Sequence, residues 1–191
     1  MKSLKGSRTE KNLLAAFAGE SQARNRYTYF AGAAKKAGYE QIAAIFLETA
    51  DNEKEHAKRF FKLLEGGDAE ITATYPAGTI SDTASNLEAA AAGEQLEWGT
   101  IYKDAGKIAR EEGFEKAALQ FEEIAKVEME HERRYRKLLS NLKQGKVFKA
   151  EASVKWHCRN CGRVIEGNQP PEKCPACEHP QAYFELIAEN Y

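Results

Sequence analysis

The chain has 191 residues, of which 42% are hydrophobic and 30% are charged. This composition supports a packed core and excludes wholesale disorder. Lys and Arg (28) balance Asp and Glu (29), so no basic excess is available for nucleic acid. No apolar run approaches the roughly 18 residues of a membrane-spanning helix. We therefore expect a globular protein with neither a nucleic-acid nor a membrane partner.

The chain divides into two regions of different composition. The first is rich in Ala, Glu and Lys and has a helical pattern. The second holds all four cysteines together with four of the five prolines. Such a shift marks a domain boundary. It predicts a helical domain over residues 1–147 and a small cysteine domain over residues 148–191.

An internal repeat organises the helical region. The tripeptide AGE at residues 18–20 recurs 74 positions later at 92–94, and the cap at residues 38–40 recurs 75 positions later at 113–115. Each half therefore predicts two helices separated by a glycine that ends the first one. The patternless segment 66–81 is too long for a tight turn between helices. The sequence predicts a mainly α fold, a four-helix bundle with one long crossover.

Two helix starts are predicted from the spacing of capping residues. Ser7 is followed three positions later by Glu10, and Ser85 by Glu88. A serine followed in this way by glutamate is the spacing of a capping box, which satisfies the first N–H groups of a helix.

The apolar stripes of all four predicted helices carry ionisable residues near their middles. Glu-x-x-His occurs on the second and fourth helices, and glutamate alone on the first and third. These residues are Glu20, Glu53, His56, Glu94, Glu97, Glu128 and His131. Burying an ionised group without compensation costs several kcal/mol, against a net stability of about 5–15 kcal/mol. Glutamates off the stripe, Glu132 among them, are expected to be solvated.

A metal centre explains this set of residues. Carboxylates with one imidazole per metal favour iron or manganese, because calcium does not use histidine and softer metals prefer thiolates. One glutamate from each of two helices plus Glu-x-x-His from each of the other two is the di-iron carboxylate arrangement. Glu97 exceeds this minimum, so it is either an extra ligand or an outer hydrogen-bond acceptor. Tyr27 and Tyr102 are either hydrogen-bond donors to the ligands or core aromatics.

The cysteines predict a second metal site. Cys158, Cys161, Cys174 and Cys177 form two Cys-x-x-Cys pairs separated by a short loop. Four thiolates at this spacing bind one metal tetrahedrally. The spacing alone favours a structural zinc ribbon over a rubredoxin-type iron. It also indicates metal binding rather than disulfides, and therefore a cytoplasmic protein.

Together these motifs resemble the rubrerythrin family from end to end. The matching segments are residues 19–23, Glu53-x-x-His56, Glu94-x-x-Glu97, Glu128-x-x-His131 and residues 158–177. The resemblance implies a ferritin-like bundle with a rubredoxin-like C-terminal domain. It also implies iron at both sites, three per chain, which reverses the preference for zinc.

The resemblance further implies the function of a non-haem peroxidase. Such an enzyme reduces hydrogen peroxide to water in the cytoplasm of an anaerobe or microaerophile, as a defence against oxidative stress. It implies a homodimer or larger assembly, with one iron exchanging Glu97 for His56 on reduction. No Gly-x-Gly-x-x-Gly motif is present, so electrons must come from rubredoxin or an NAD(P)H-dependent reductase. Two alternatives are a ferroxidase or iron-storage protein and a zinc-stabilised scaffold without enzymatic activity.

Overall fold

A computed structural model describes residues 3–190, and a four-helix bundle forms most of it. The bundle consists of α1 (Arg8–Lys36), α2 (Glu40–Phe61), α3 (Thr83–Leu96), a π-helix (Glu97–Ile101), α4 (Tyr102–Glu111) and α5 (Glu115–Lys143). The segment α3–π–α4 is the third helix of the bundle. It pairs with α5, and α1 pairs with α2. The extended segment between α2 and α3 is the predicted crossover, so the predicted fold class is confirmed.

The helix ends follow from local chemistry, with one difference from the sequence prediction. Ser7 caps α1 by accepting the N–H of Glu10 at 3.0 Å. The predicted cap at Ser85 is wrong. Asp82 caps α3 instead, by accepting the N–H of Ser85 at 3.0 Å, because an aspartate three residues earlier is an equally good cap. Gly38 at the end of α1 has a left-handed φ of +83°, which glycine adopts without strain.

Two apolar clusters fill the bundle on either side of its middle. In the first, the rings of Tyr27, Phe46 and Tyr135 contact one another at centroid distances of 5.1–6.1 Å. In the second, the rings of Phe60 and Phe121 lie 5.0 Å apart. The predicted ionisable residues lie on the helices between these clusters.

The π-helix shifts the register of the third helix. The predicted stripe continues through Ile101, Ala105 and Ile108. Ala105 is buried as predicted, but Ile101 is exposed, and the structure buries Tyr102 and Ala109 in place of Ile101 and Ile108. A π-helix accommodates one extra residue in a helix. The burial therefore moves one position along the chain at residues 101 and 108, and the predicted stripe is wrong at these two positions.

The C-terminal domain is a small antiparallel sheet around the cysteines. Its strands β1 (Val154–Cys158), β2 (Val164–Gly167) and β3 (Phe184–Leu186) lie in the order β2-β1-β3. Trp156 and Phe184 form its core with two of the cysteines. Within residues 3–190, the helices are too short or too polar to cross a membrane.

Candidate metal centre

Six of the seven predicted bundle residues converge in two overlapping groups. Within each group, the donor atoms all lie within 4.8 Å of one another. The groups are Glu20, Glu53, His56, Glu128 and Glu53, Glu94, Glu128, His131. All six residues are at most 9% exposed. Glu53 and Glu128 belong to both groups, so each carboxylate is positioned to bridge two metals.

Unpartnered donor atoms indicate that cations fit between these residues. In the described chain, the buried atoms without a hydrogen bond include both carboxylate oxygens of Glu128, one oxygen each of Glu20, Glu53 and Glu94, and Nδ1 of His131. Nδ1 of His131 lies 2.7 Å from Oε2 of Glu128. Buried polar atoms are almost always partnered, and a histidine nitrogen that faces a carboxylate at this distance requires a positive charge, which either a proton or a metal ion supplies. A pair of metal ions would satisfy all of these atoms together.

Protons compensate the negative charge of the buried carboxylates when no metal is bound. Burial, with repulsion from neighbouring carboxylates, raises the pKa of Glu20 and of Glu94 well above the usual range. Burial opposes ionisation of Glu53 as well, but the two histidines, whose Nδ1 atoms lie 2.8 Å (His56) and 3.2 Å (His131) from its oxygens, outweigh it and lower its pKa to about 2. The pKa of His56 rises to about 10 despite burial, because Glu128 and Glu53 stabilise the imidazolium. Metal binding therefore displaces protons from this site.

Two tyrosines hold the terminal carboxylates in a crossed arrangement. Tyr27 on α1 donates its hydroxyl to Glu94 on α3 at 2.6 Å. Tyr102 on α4 donates to Glu20 on α1 at 2.5 Å. Tyr27 and Tyr102 are 75 residues apart, the same offset that relates residues 38–40 to residues 113–115, so they occupy equivalent positions of the repeat. Each half of the repeat thus orients a carboxylate of the other half.

The two histidines differ in what holds them. Nε2 of His131 donates to Oδ1 of Asn52 at 3.2 Å, which leaves Nδ1 facing the carboxylates. Such outer hydrogen bonds fix the tautomer and orientation of metal-bound histidines. The repeat places Val127 at the position equivalent to Asn52, and valine has no acceptor for His56. The sequence prediction missed Asn52, although its position directly before Glu53 placed it beside the ligands.

Glu97 lies outside both groups of converging atoms in residues 3–190. It begins the π-helix and is half-buried at the wall of a pocket under the crossover. Burial and the charges of Glu128 and Glu53 raise its pKa well above the usual range. Its role as a metal ligand stays a prediction.

Glu132 is not solvated as the sequence predicted. It is 8% exposed and accepts hydrogen bonds from Trp98 Nε1 at 2.6 Å and Arg136 Nε at 2.5 Å. These two donors, one on the π-helix and one on the next turn of α5, compensate its burial. The carboxylate therefore links the π-helix to α5 beside His131.

The four cysteines converge in the C-terminal domain. The Sγ atoms of Cys158 and Cys177 lie 3.8 Å apart, and those of Cys161 and Cys174 lie 3.7 Å apart. Four sulfurs held about 2.3 Å from one tetrahedral metal lie about 3.8 Å from each other. A hydrogen bond from the backbone N–H of His179 is the largest influence on Cys177, whose pKa is lowered to about 6. The geometry fits a single tetrahedral metal ion.

A bundle with a paired carboxylate–histidine centre, joined to a tetrathiolate domain, defines a dimetal-carboxylate protein with a rubredoxin-like module. Comparison with known families agrees. The family model described as Rubrerythrin matches residues 11–139. The one described as Rubrerythrin, rubredoxin-like domain matches residues 156–185. The chain belongs to the rubrerythrin family. The domain boundary at residue 147 stays a prediction.

Relatives match over the whole chain. Rubrerythrin of Porphyromonas gingivalis is 61% identical over 190 residues, covering 100% of this chain and 95% of the relative. Rubrerythrin of Nitratidesulfovibrio vulgaris is 60% identical over 191 residues, covering 100% of both. Among solved structures, fully reduced, all-ferrous nigerythrin aligns with a TM-score of 0.65 at 31% identity, covering 97% of this chain and 92% of that one.

Proposed function

We propose that this protein is a hydrogen peroxide reductase with three irons per chain, two in the bundle and one on the cysteines. The observation that carries the proposal is the pairing of two sites in one chain, a dimetal centre and a tetrathiolate centre. A ferroxidase or storage protein needs only the first. Reducing hydrogen peroxide to two waters takes two electrons and two protons, and the three irons, when bound, supply and replenish those electrons.

The bundle residues have separate tasks in this proposal. Glu53 and Glu128 would hold both metals, because each carboxylate belongs to both groups of donor atoms. Tyr27 and Tyr102 keep the terminal carboxylates Glu94 and Glu20 oriented. Glu97 and His56 would be the alternative ligands of one metal, and the anionic carboxylate would favour its more highly charged oxidised state. The buried surroundings exclude bulk water from the centre.

The length of helix between the bundle site and the start of the cysteine domain favours a homodimer or a larger assembly. The cysteine domain follows the end of α5 at Lys143, fifteen residues beyond Glu128. At 1.5 Å per residue, the end of α5 lies about 22 Å from Glu128 along the helix axis. A head-to-tail partner brings one subunit's cysteine site close to the other's bundle site. The electron donor is rubredoxin or an NAD(P)H-dependent reductase, in the cytoplasm.

The test is peroxide consumption by the iron-loaded protein with a reductase and NADH. We expect steady consumption of one peroxide per NADH. Protein with zinc in the cysteine site and iron in the bundle is the matched control, and it should react once and then stop. A protein that consumes dioxygen and stores iron, but does not turn over peroxide, would be a ferroxidase. A colourless protein with zinc at both sites and no activity would be a scaffold.

A further inference from the structure

A pocket of about 130 Å³ lies between α1, the π-helix and the crossover. Gly19 and Ala16 form its α1 wall, and Glu97 and Tyr102 line it from the third helix. Tyr75 and Pro76 of the crossover also border it. Tyr102 is hydrogen-bonded to Glu20, so this wall is one hydrogen bond away from the metal-binding carboxylates.

The crossover is held over this pocket by a specific contact. Nη1 of Arg26 on α1 donates to the backbone oxygen of Pro76 at 3.2 Å. The same guanidinium passes close to α3, where Nη2 approaches Gly93. The roof of the pocket is therefore hydrogen-bonded to α1 through a side chain that also packs against α3, and both helices carry metal-binding residues.

Gly19 and Gly93 occupy equivalent positions of the repeat but have different surroundings. A Cβ on Gly93 would lie 3.0 Å from Nη2 of Arg26, so any larger residue there would require this guanidinium to shift by a few tenths of an ångström. A Cβ on Gly19 would meet no atom within 4 Å, and Gly19 has no left-handed backbone conformation. Glycine inside a helix is less stable than alanine. Neither packing nor backbone conformation explains Gly19, whereas an open pocket above it does.

We propose that the space above Gly19 is the route by which hydrogen peroxide reaches the Glu97 side of the metal centre. This inference rests on the proposed function. The six converging residues are at most 9% exposed, so the oxidant needs a passage. The pocket suits a small neutral molecule that forms hydrogen bonds, because Glu97 and Gln22 contribute polar groups to walls that are otherwise mainly apolar.

The test is to fill the pocket from Gly19. In the iron-loaded, fully reduced protein, Gly19→Leu should slow oxidation by hydrogen peroxide at least tenfold, measured by stopped flow. Iron content and the rate of reduction by the electron donor should not change. Gly32→Leu is the matched control, because Gly32 lies on the same helix with no atom within 4 Å of its Cβ position but borders a different pocket. It should react with peroxide at the wild-type rate.

A second measurement does not depend on activity. In thermal unfolding of the iron-loaded protein, Gly19→Ala should raise Tm by about 2–4 °C, since alanine favours the helix and meets no clash. Gly93→Ala should raise Tm less than Gly19→Ala does, because its Cβ would lie 3.0 Å from Nη2 of Arg26 and that guanidinium would have to shift. A fall in Tm for Gly19→Ala would show a packing role and overturn the inference. If Gly19→Leu does not bind iron, the kinetic test uses Gly19→Ala. This variant should also be oxidised by hydrogen peroxide more slowly than the wild type, by a smaller factor than leucine would give, and an unchanged rate would refute the route.

The outcomes separate this inference from the proposed function. Wild-type protein that does not consume peroxide refutes the function. Wild-type protein that consumes peroxide, together with a Gly19 variant that reacts equally fast, refutes the route alone. Equal slowing of oxidation and of reduction by the donor also refutes the route, because a blocked entrance leaves electron delivery unchanged.

Discussion

Replacing Asn52 by leucine should weaken metal binding at one position of the bundle and leave the other intact. The change removes the acceptor 3.2 Å from Nε2 of His131 and keeps a side chain of similar size. Losing an outer hydrogen bond to a metal-bound histidine typically costs 10–100-fold in metal affinity. That corresponds to about 1.4–2.8 kcal/mol. Because His131 belongs to one group of donors and not to the other, the loss should fall on that metal.

The assay is titration of the metal-free protein with ferrous iron or cobalt under anaerobic conditions, resolving two binding steps. Asn52→Asp keeps an acceptor and should retain most of the affinity. Asp51→Leu is the control, since Asp51 is the exposed neighbour on the same helix. Equal weakening of both steps, or no weakening of either, would refute the reasoning.

Four further predictions follow from the two sites. Glu128→Ala should remove both bundle irons, and elemental analysis that still finds both would contradict a bridging role. Ferric iron bound by four thiolates is red, so Cys174→Ser should abolish the red colour. It should also abolish steady turnover while one reaction with peroxide remains; turnover at the wild-type rate would make the cysteine site structural. Glu97→Gln should raise the reduction potential of the iron pair in a redox titration and leave ferrous binding intact, whereas an unchanged potential argues against ligation. Glu20 and Glu94 have raised pKa values, so the stability of the metal-free protein should fall as pH rises above about 4.3; urea unfolding that shows the opposite trend would contradict this.

The internal repeat made the four-helix bundle predictable. It also contained a signal for the π-helix, which the helical pattern missed. Its spacing is 74 residues up to Glu94 and 75 residues from Gly113 onwards. One residue is therefore inserted between these positions, and the π-helix at Glu97–Ile101 accommodates it. Uniform periodicity of three and four cannot represent an insertion, so it placed Ile101 in the core in place of Tyr102.

Long-range partners were beyond the reach of periodicity. A helical pattern states which face of a helix is buried, but not which residue on another helix lies opposite. Asn52 and His131 are 79 residues apart. Glu132 lies beside a buried ligand and is compensated by Trp98 from the third helix. The six converging residues were predictable because ionisable groups on an apolar stripe require a shared explanation, whereas a single asparagine or glutamate does not.

The most direct test of the proposed peroxidase is the stoichiometry of one reaction cycle. The fully reduced, iron-loaded protein is mixed anaerobically with increasing hydrogen peroxide, and the oxidation of each iron site is followed by its absorbance. We predict that one peroxide oxidises two irons to give two waters, and that the tetrathiolate iron becomes oxidised by passing its electron to the bundle. Bundle irons that stay ferrous with peroxide and are oxidised by dioxygen alone would contradict the proposal.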